Sequence, residues 1–450
     1  MQVHVLGVGA VGALVAGHLR TVVRRCQLPT AGVQALARTP RAARAPRLAI
    51  PQHVAPYLPP GDGLGVTLHL RERRFARDRE TPPSAATVTV ERDGVRMAES
   101  GFGVELWSPA SQGASQTLVR GAVGGAEPIE SIIVATKADI TCAALRRVAP
   151  RITPETTVVL LQNGLGVLDA LLDELFPDAE KRPNFVLATT THGCYLKRPL
   201  HTVHAGFGSI HFGIVPSARA RGGSFEHALP PTMGAAEPEL DLEGIPDTPA
   251  TRSLRATVAL MLALPLDVHW EPIRTFQLRA LRKLVINACI NGTTALADCK
   301  NGELFGSPAA AEVFRVLSTE AGMVLEAQAR DAKAAQETRD SDAVHLSTLP
   351  LADLLTQTDA DGLPLLDASL KPASIQHEAE NVVRRTAANW SSMHQDIRSG
   401  RGSTEIDYIN GYIGELGRAY GIPTPANDLV TNLVKLKARR VTGTWGAPLR

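Results

Sequence analysis

Six residues near the amino terminus narrow the fold more than any other feature of the chain. Gly7-Val8-Gly9-Ala10-Val11-Gly12 follows the apolar run Val3, Val5, Leu6. It leads into Val11, Leu14, Val15 and Leu19, which recur at helical spacing. Strand, glycine turn and helix form the context that gives GxGxxG a physical meaning. Gly7 permits a tight turn, Gly9 leaves room for a pyrophosphate against the backbone, and Gly12 lets the helix pack closely on the sheet. The helix N-terminus offers unpaired amides and the positive end of its dipole to phosphate oxygens. Gly7, Val8, Gly9, Ala10, Val11 and Gly12 are therefore the expected dinucleotide cradle. The plainer alternative is a glycine turn that only packs.

The rest of the amino-terminal half fits a sheet covered by helices. Ser131 to Thr136 and Thr157 to Leu161 read as buried strands, and Phe185 to Thr190 and Gly208 to Gly213 extend the region. Val33 to Ala37 reads as the second strand. Residues 40–85 are rich in Arg, Ala and Pro and read as a loop-rich insertion, in which Leu64 to Leu70 forms at most a short hairpin arm. Its basic runs are a solvated surface or, less simply, an anion-binding patch. From Ala256 the pattern turns helical. The expected fold class is an α/β Rossmann-type dinucleotide-binding domain over residues 1–215, then a linker or insertion over 216–250. A mainly α-helical substrate domain over 251–450 follows, with its own insertion near 340–372.

Composition limits the alternatives. The chain has 450 residues, 44% of them hydrophobic, enough for a sizeable core. Lys and Arg total 47 against 45 Asp and Glu, so charge gives no reason to expect nucleic acid or an anionic membrane as partner. No run of about 18 charge-free apolar residues suggests a membrane span. Five cysteines without a CxxC pair speak against a thiolate metal site or a disulfide framework, so no metal is expected. A reducing, cytoplasmic setting is expected, without a targeting segment before the first strand. A homodimer is left open.

Several polar residues stand where ligands should be. After the expected second strand, Ala37-Arg38-Thr39-Pro40-Arg41 holds no carboxylate for ribose hydroxyls, while Arg38 can pair with a 2′-phosphate. That favours NADP(H) over NAD(H). Lys137 and Asn163 each follow a buried strand, and ligands in open α/β sheets bind beyond the carboxyl ends of strands. Lys283, Asn287 and Asn291 recur every four residues in an otherwise apolar helix and share one side. Such a ladder is costly in a core unless it is paired or faces a lined cleft. Thr404-Glu405 reads as a cap and first turn, with Glu405 either serving the helix terminus or acting as carboxylate partner to Lys283.

These blocks together resemble the ketopantoate reductase (2-dehydropantoate 2-reductase) family. The matching stretches are Gly7 to Gly12, Val134 to Lys137, Gln162-Asn163-Gly164, Lys283 through Asn291 to Leu304, and Ser391 to Asp396 followed by Thr404 to Gly411. The resemblance implies an N-terminal Rossmann-type domain, a helical C-terminal domain and an active site in the cleft. It implies NADPH-dependent reduction of 2-dehydropantoate to (R)-pantoate, in pantothenate and coenzyme A biosynthesis. It assigns the catalytic acid to Lys283 and the essential glutamate to Glu405, with Asn163, Asn287 and Ser392 against substrate. Asn291, Asn301 and Asn389 match further polar positions. Arg38, Lys137, Asn163 and Glu405 are placed on the cofactor side. The departures are the insertions and a spacer, Arg398 to Ser403, one residue longer than usual before Thr404-Glu405. The other readings are a related reductase of a different 2-keto acid and a nonenzymatic NADPH-binding regulatory protein.

Overall fold

Thirteen strands among the described residues, in chain order, organise the first half of the protein: β1 (Gln2–Leu6), β2 (Gly65–Arg71), β3 (Val88–Arg92), β4 (Val95–Glu99), β5 (Gly103–Trp107), β6 (Leu118–Arg120), β7 (Ile129–Val134), β8 (Ile152–Leu160), β9 (Asn184–Thr190), β10 (Gly193–Arg198), β11 (His201–Gly206), β12 (Ile210–Ile214) and β13 (Val268–Trp270). The structure, a computed structural model, describes residues 1–27, 50–61, 63–71, 86–107, 118–120, 127–216, 240–337, 355–360 and 364–443. Contacts divide the chain into two units. The first takes in Met1–Thr136, Ile140–Gln162 and Glu174–Phe276. The second takes in Lys137–Asp139, Asn163–Asp173 and Gln277–Arg450. Residues 251–276, expected on the helical side, thus belong with the first unit.

The first unit is a Rossmann-like α/β body. Its main sheet has nine strands in the order β13-β12-β9-β8-β7-β1-β2-β5-β6. The strands from β9 across to β5 all run parallel, and β12 and β6 turn antiparallel at the flanks. Helix α1 (Ala10–Gln27) buries Leu14, Val15, Leu19 and Val22, the face its apolar spacing marks. It packs against a four-stranded sheet, β10-β11-β3-β4, as well as against β2. Helix α2 (Arg252–Leu262) lies on β7 and β8, where Thr257 Oγ1 donates to Ser131 Oγ at 2.9 Å.

The second strand of the sheet is not the expected one. Val33 to Ala37 and Arg38 lie outside the described residues, and the strand paired in parallel with β1 is Gly65–Arg71, with Val5 opposite Leu68 and Leu6 opposite His69. Leu64 to Leu70 is thus no hairpin arm but the second core strand. Val66 and Leu68 are fully buried on one side, and Thr67 and His69 are buried on the other. Those two polar residues break the apolar run that otherwise marks a buried strand.

The second unit is mainly helical. It contains α3 (Ile273–Ala297) from Gln277 onward, α4 (Pro308–Glu337), α5 (Pro372–Arg385), α6 (Ser392–Arg398), α7 (Asn410–Tyr420) and α8 (Pro425–Thr442), with a short strand pair, Leu355–Thr358 and Pro364–Leu366. Leu284, Val285, Ala288 and Cys289 of α3 join Phe314, Leu317 and Leu325 of α4 in its core. A buried polar knot ties the helices. Asn410 Nδ2 donates to Ala288 O and to Asn427 Oδ1, and Glu320 accepts from Asn427 Nδ2 at 2.8 Å. No helix among the described residues is long and apolar enough to cross a membrane.

The first unit also buries an unusual set of imidazoles. His4 Nδ1 lies 3.0 Å from His69 Nε2, and His69 Nδ1 lies 3.4 Å from Glu105. Both Glu105 oxygens accept from Arg151 Nη1 at 2.9 Å. His4, His69 and Glu105 are the one group of metal-ligating type clustered among the described residues, and Arg151 already supplies the positive charge beside that carboxylate. Burial, aided by Arg151, pulls the pKa of His4 down to about 4. Burial, with the charges of neighbouring imidazoles and Arg92, does the same to His18 and His204. His69 and His192 are lowered as well, again first by burial. His4, His18 and His204 are thus neutral in the fold at about pH 5, whereas an unfolded chain protonates them near 6.5. Their contribution to stability is therefore present above pH 6.5 and is lost as pH falls toward 4. Calorimetry at stepped pH should show a Tm that drops across that window, with about three imidazole protons taken up on unfolding at about pH 5. A Tm unchanged between about pH 7 and pH 5 would show that these histidines are not sealed.

Candidate functional site

The glycine turn is built as its sequence requires. Gly7 adopts φ 93°, and a Cβ there would stand 2.4 Å from the Thr136 backbone nitrogen. Ala135 N–H donates to Leu6 O at 2.8 Å, so β1 and β7 leave the sheet side by side. A Cβ on Gly12 would lie 2.2 Å from Gly7 O, so only glycine lets α1 start this close to the strand. Gly9 N–H donates to Gly7 O at 2.8 Å, and nothing lies within 4 Å of where a Gly9 Cβ would be. The middle glycine therefore leaves open space at the mouth of a helix N-terminus, which suits a pyrophosphate. Beside it in the sheet, β2 ends on Arg71.

The second unit gathers charged residues around the turn that begins after Thr404. Thr404 Oγ1 accepts from Ile406 N–H at 3.3 Å and so caps the short 3₁₀ helix Glu405–Tyr408. Glu405 is only 4% exposed. Its Oε1 accepts from Ala138 N–H and its Oε2 from Lys137 Nζ, both at 3.2 Å. The Lys137 ammonium also lies 2.9 Å from Asp396 Oδ2 on α6. Burial works against the charge on Lys137, but the Glu405 and Asp396 carboxylates outweigh it and hold its pKa above the usual lysine value. Two carboxylates and one ammonium leave this trio with a net negative charge.

Lys283 comes from the middle of α3. Its ammonium donates to Asn163 Oδ1 at 3.0 Å. Burial lowers its pKa to about 8, and the charge of Glu405 opposes that fall. Asn163 is held through its chain neighbours. Gly164 has φ 86°, and a Cβ there would lie 2.3 Å from Tyr408 O. That same carbonyl accepts from Leu165 N–H at 3.0 Å. Within the second unit, the turn Glu405–Tyr408 thus anchors the short stretches Lys137–Asp139 and Asn163–Leu165.

The other expected residues are placed unequally. Asn287 is half-buried and Asn291 buried, on the successive α3 turns after Lys283. Ser392 opens α6 one residue after Ser391, whose hydroxyl accepts from His394 N–H and from Thr294 Oγ1 and so serves as the cap. Asn301 and Asn389 are joined through the backbone, Asn301 N–H to Asn389 O at 3.0 Å, and Asn301 Nδ2 donates to Thr386 Oγ1. The Asn389 side chain is exposed. Asp396 carries an ion pair although it is not among the expected site residues. Its signal is there to read: Ser392 and Asp396 are spaced i, i+4 on one helix.

A family model described as Ketopantoate reductase PanE/ApbA matches residues 82–217, and one described as Ketopantoate reductase PanE/ApbA C terminal matches 275–438, together two thirds of the chain. The chain is 27% identical over 309 residues to a probable 2-dehydropantoate 2-reductase of Schizosaccharomyces pombe, covering 69% of this chain and 74% of that one. It is 28% identical over 311 residues to the 2-dehydropantoate 2-reductase of Vibrio cholerae, covering 68% and 76%. Among solved structures, D-mandelate dehydrogenase with NADH and anilino(oxo)acetate aligns with a TM-score of 0.58 at 17% identity, covering 98% of this chain and 99% of that one. A PanE/ApbA family ketopantoate reductase from Ralstonia eutropha aligns with a TM-score of 0.54, also at 17% identity, covering 98% and 99%. At such identities the structural likeness speaks for the fold.

The middle and last glycines of the turn should separate in a stability experiment. Gly12→Ala forces a methyl group into a backbone carbonyl and should cost about 1–3 kcal/mol. Gly9→Ala points into open space and should stay within about 0.5 kcal/mol of the parent. Urea unfolding of the two variants beside the parent measures both.

Proposed function

We propose that this chain, which belongs to the PanE/ApbA ketopantoate reductase family, is an NADPH-dependent 2-keto acid reductase that converts 2-dehydropantoate to (R)-pantoate. The observation that carries the reading is Lys283, an ammonium shielded enough from water that its pKa is drawn down to about 8, with its Nζ fixed on Asn163. A nicotinamide cofactor, when bound, supplies the hydride for such a reduction. What the protein must add is an acid at the substrate's carbonyl oxygen, because that oxygen gains negative charge as its carbon is reduced. An acid works best when its pKa is near the working pH, and Lys283 meets that condition where an exposed lysine does not.

The neighbours of Lys283 have separate tasks in this reading. Asn163 holds the ammonium in one direction. Glu405 counters its charge and offers a carboxylate to a substrate hydroxyl. Asn287, Asn291 and Ser392 supply polar contacts to the 2-keto acid. Asn301 and Asn389 act at a remove, by tying the segment before α6 to the end of α3. Lys137 serves the cofactor side, consistent with its position just after β7. The open space at Gly9 supports a dinucleotide there.

The phosphate-selecting arginine is reassigned. Since β2 is Gly65–Arg71, the residue at the carboxyl end of the second strand is Arg71; the strand itself holds no carboxylate, and Glu72, which follows, is flanked by arginines on both sides in the sequence. Arg71 in place of Arg38 is therefore our choice for the 2′-phosphate. A charged bidentate contact is worth about 1.5–3 kcal/mol, so Arg71→Ala should lower the preference for NADPH over NADH roughly tenfold to a hundredfold. Arg38→Ala should leave it intact. Steady-state kinetics with both cofactors decides between them, and the reverse pattern restores Arg38.

The reaction itself is tested by NADPH oxidation with 2-dehydropantoate beside benzoylformate and other 2-keto acids. The aromatic acid is included because D-mandelate dehydrogenase shares the fold. Lys283→Ala should stay folded, keep cofactor binding and lose about 10²–10⁴-fold in turnover. The acid form of Lys283 is the active one, so kcat should be level at low pH and fall as pH rises through about 8. Tight NADPH binding without turnover of any 2-keto acid would identify a binding protein instead.

A further inference from the structure

We propose that Arg401 and Asp139 are positioning residues that set the place of Glu405. The spacer before Glu405 runs Arg398-Ser399-Gly400-Arg401-Gly402-Ser403 and contains two glycines, Gly400 at φ 73°. A stretch of that composition has many conformations of its own, so it cannot by itself hold the next residue still. In the structure it is gripped from outside. Arg401 Nη2 donates to both oxygens of Asp139, at 2.8 and 3.1 Å. Ser403 Oγ donates to Asp139 Oδ2 at 2.6 Å. The remaining guanidinium reach closes the loop on itself, with Arg401 Nε donating to Ser403 O at 3.0 Å. Arg401 N–H is taken by Asp396 O, also at 3.0 Å.

The other end of the same grip is Glu405 itself. Lys137, Ala138 and Asp139 are consecutive. The first two hold the Glu405 carboxylate and the third holds the spacer two to four residues upstream. The tripeptide therefore fastens the segment Arg401 to Glu405 at both ends. Asp139 and Arg401 are 19% and 27% exposed, so solvent weakens their pairing without removing it. With the spacer fastened, rotation about Gly400 and Gly402 no longer carries Glu405 away from Lys137. The clamp gives the long, glycine-bearing spacer a fixed exit, and the carboxylate keeps one position despite it. Misplacing a group near the chemistry by about 1 Å can cost on the order of a hundredfold in rate.

This inference rests on the reductase reading for its kinetic part and on the structure alone for the rest, so two measurements are paired. Arg401→Ala, Arg401→Lys, Asp139→Asn and the double variant Asp139→Asn/Arg401→Ala are compared with the parent. In turnover, the alanine variant should lose about tenfold to a hundredfold in kcat/KM for the 2-keto acid, with NADPH affinity changed less than about threefold. The double variant should be no worse than the worse single one, as expected of two residues acting through one contact. Arg401→Lys keeps the charge without the fork and should recover part of the loss. In hydrogen exchange of the ligand-free protein, the Ala138 and Ile406 amides should exchange about tenfold faster in the alanine variant. If the parent reduces no 2-keto acid, the reductase reading falls while hydrogen exchange still decides the clamp. Normal exchange at both amides in a folded Arg401→Ala or Asp139→Asn protein overturns the clamp, as does loss of cofactor affinity equal to the loss in substrate kcat/KM. If Arg401→Ala fails to fold, Arg401→Lys and Asp139→Asn carry the same comparison.

Discussion

The carboxylate of Glu405 is the constraint on which the polar architecture of the second unit rests. A buried carboxylate is tolerated only when its oxygens are met by donors. Here one oxygen is met by a backbone amide and the other by an ammonium, both from the short stretch just after β7. The ammonium is then shared with Asp396, so α6 is drawn into the same arrangement. The turn that Glu405 opens also presents the Tyr408 carbonyl to Gly164 and Leu165, which fixes Asn163 and through it Lys283. Removing one partner would leave the others with uncompensated charge in a half-dry setting, a costlier event than losing a surface ion pair.

The two lysines show how environment separates identical side chains. Lys137 sits between two carboxylates and is held charged more firmly than an exposed lysine. Lys283 is drawn toward neutrality because burial strips its water, and the charge of Glu405 offsets that only in part. The contrast is the one expected of a site that needs one fixed charge and one exchangeable proton.

Much of this is legible in the residues because it is local. The glycine turn needs only its own six residues and the strand before them. The Lys283 ladder needs only the period of a helix, and Thr404 announces its cap. The rest is nonlocal or disguised. β2 is hidden because Thr67 and His69 are polar yet buried, with His69 beside Glu105 and its partner Arg151, so the strand alternates Val66, Leu68 and Leu70 with polar residues and lacks a continuous apolar run. Arg38 draws attention because a short apolar run before it resembles a strand, while the strand that pairs with β1 lies further along. The Lys137 contacts join residues far apart in the chain, and no spacing rule reaches that distance. Asp396 is visible as part of a motif, but its partner is not.

The placement of β2 has a consequence for how this protein reaches its fold. In an ordinary strand–helix–strand unit the second strand comes soon after the helix. Here Gln2 pairs with Gly65, and all of residues 7–64 must be bridged before the first two strands of the sheet can meet. At equilibrium the penalty is mild, since closing entropy grows only as the logarithm of length, about 0.6 kcal/mol for each doubling. Kinetically it is heavier, because distant contacts must be found before they are rewarded. The β1–β7 pairing is more distant still. The hairpins β3–β4 and β10–β11 have no such search to make and can form early, but joining them into the smaller sheet, with His201 opposite Thr89, needs a distant pairing of its own. A newly made chain would then spend its early life with β1 edges unpaired, in a state that favours assistance over haste.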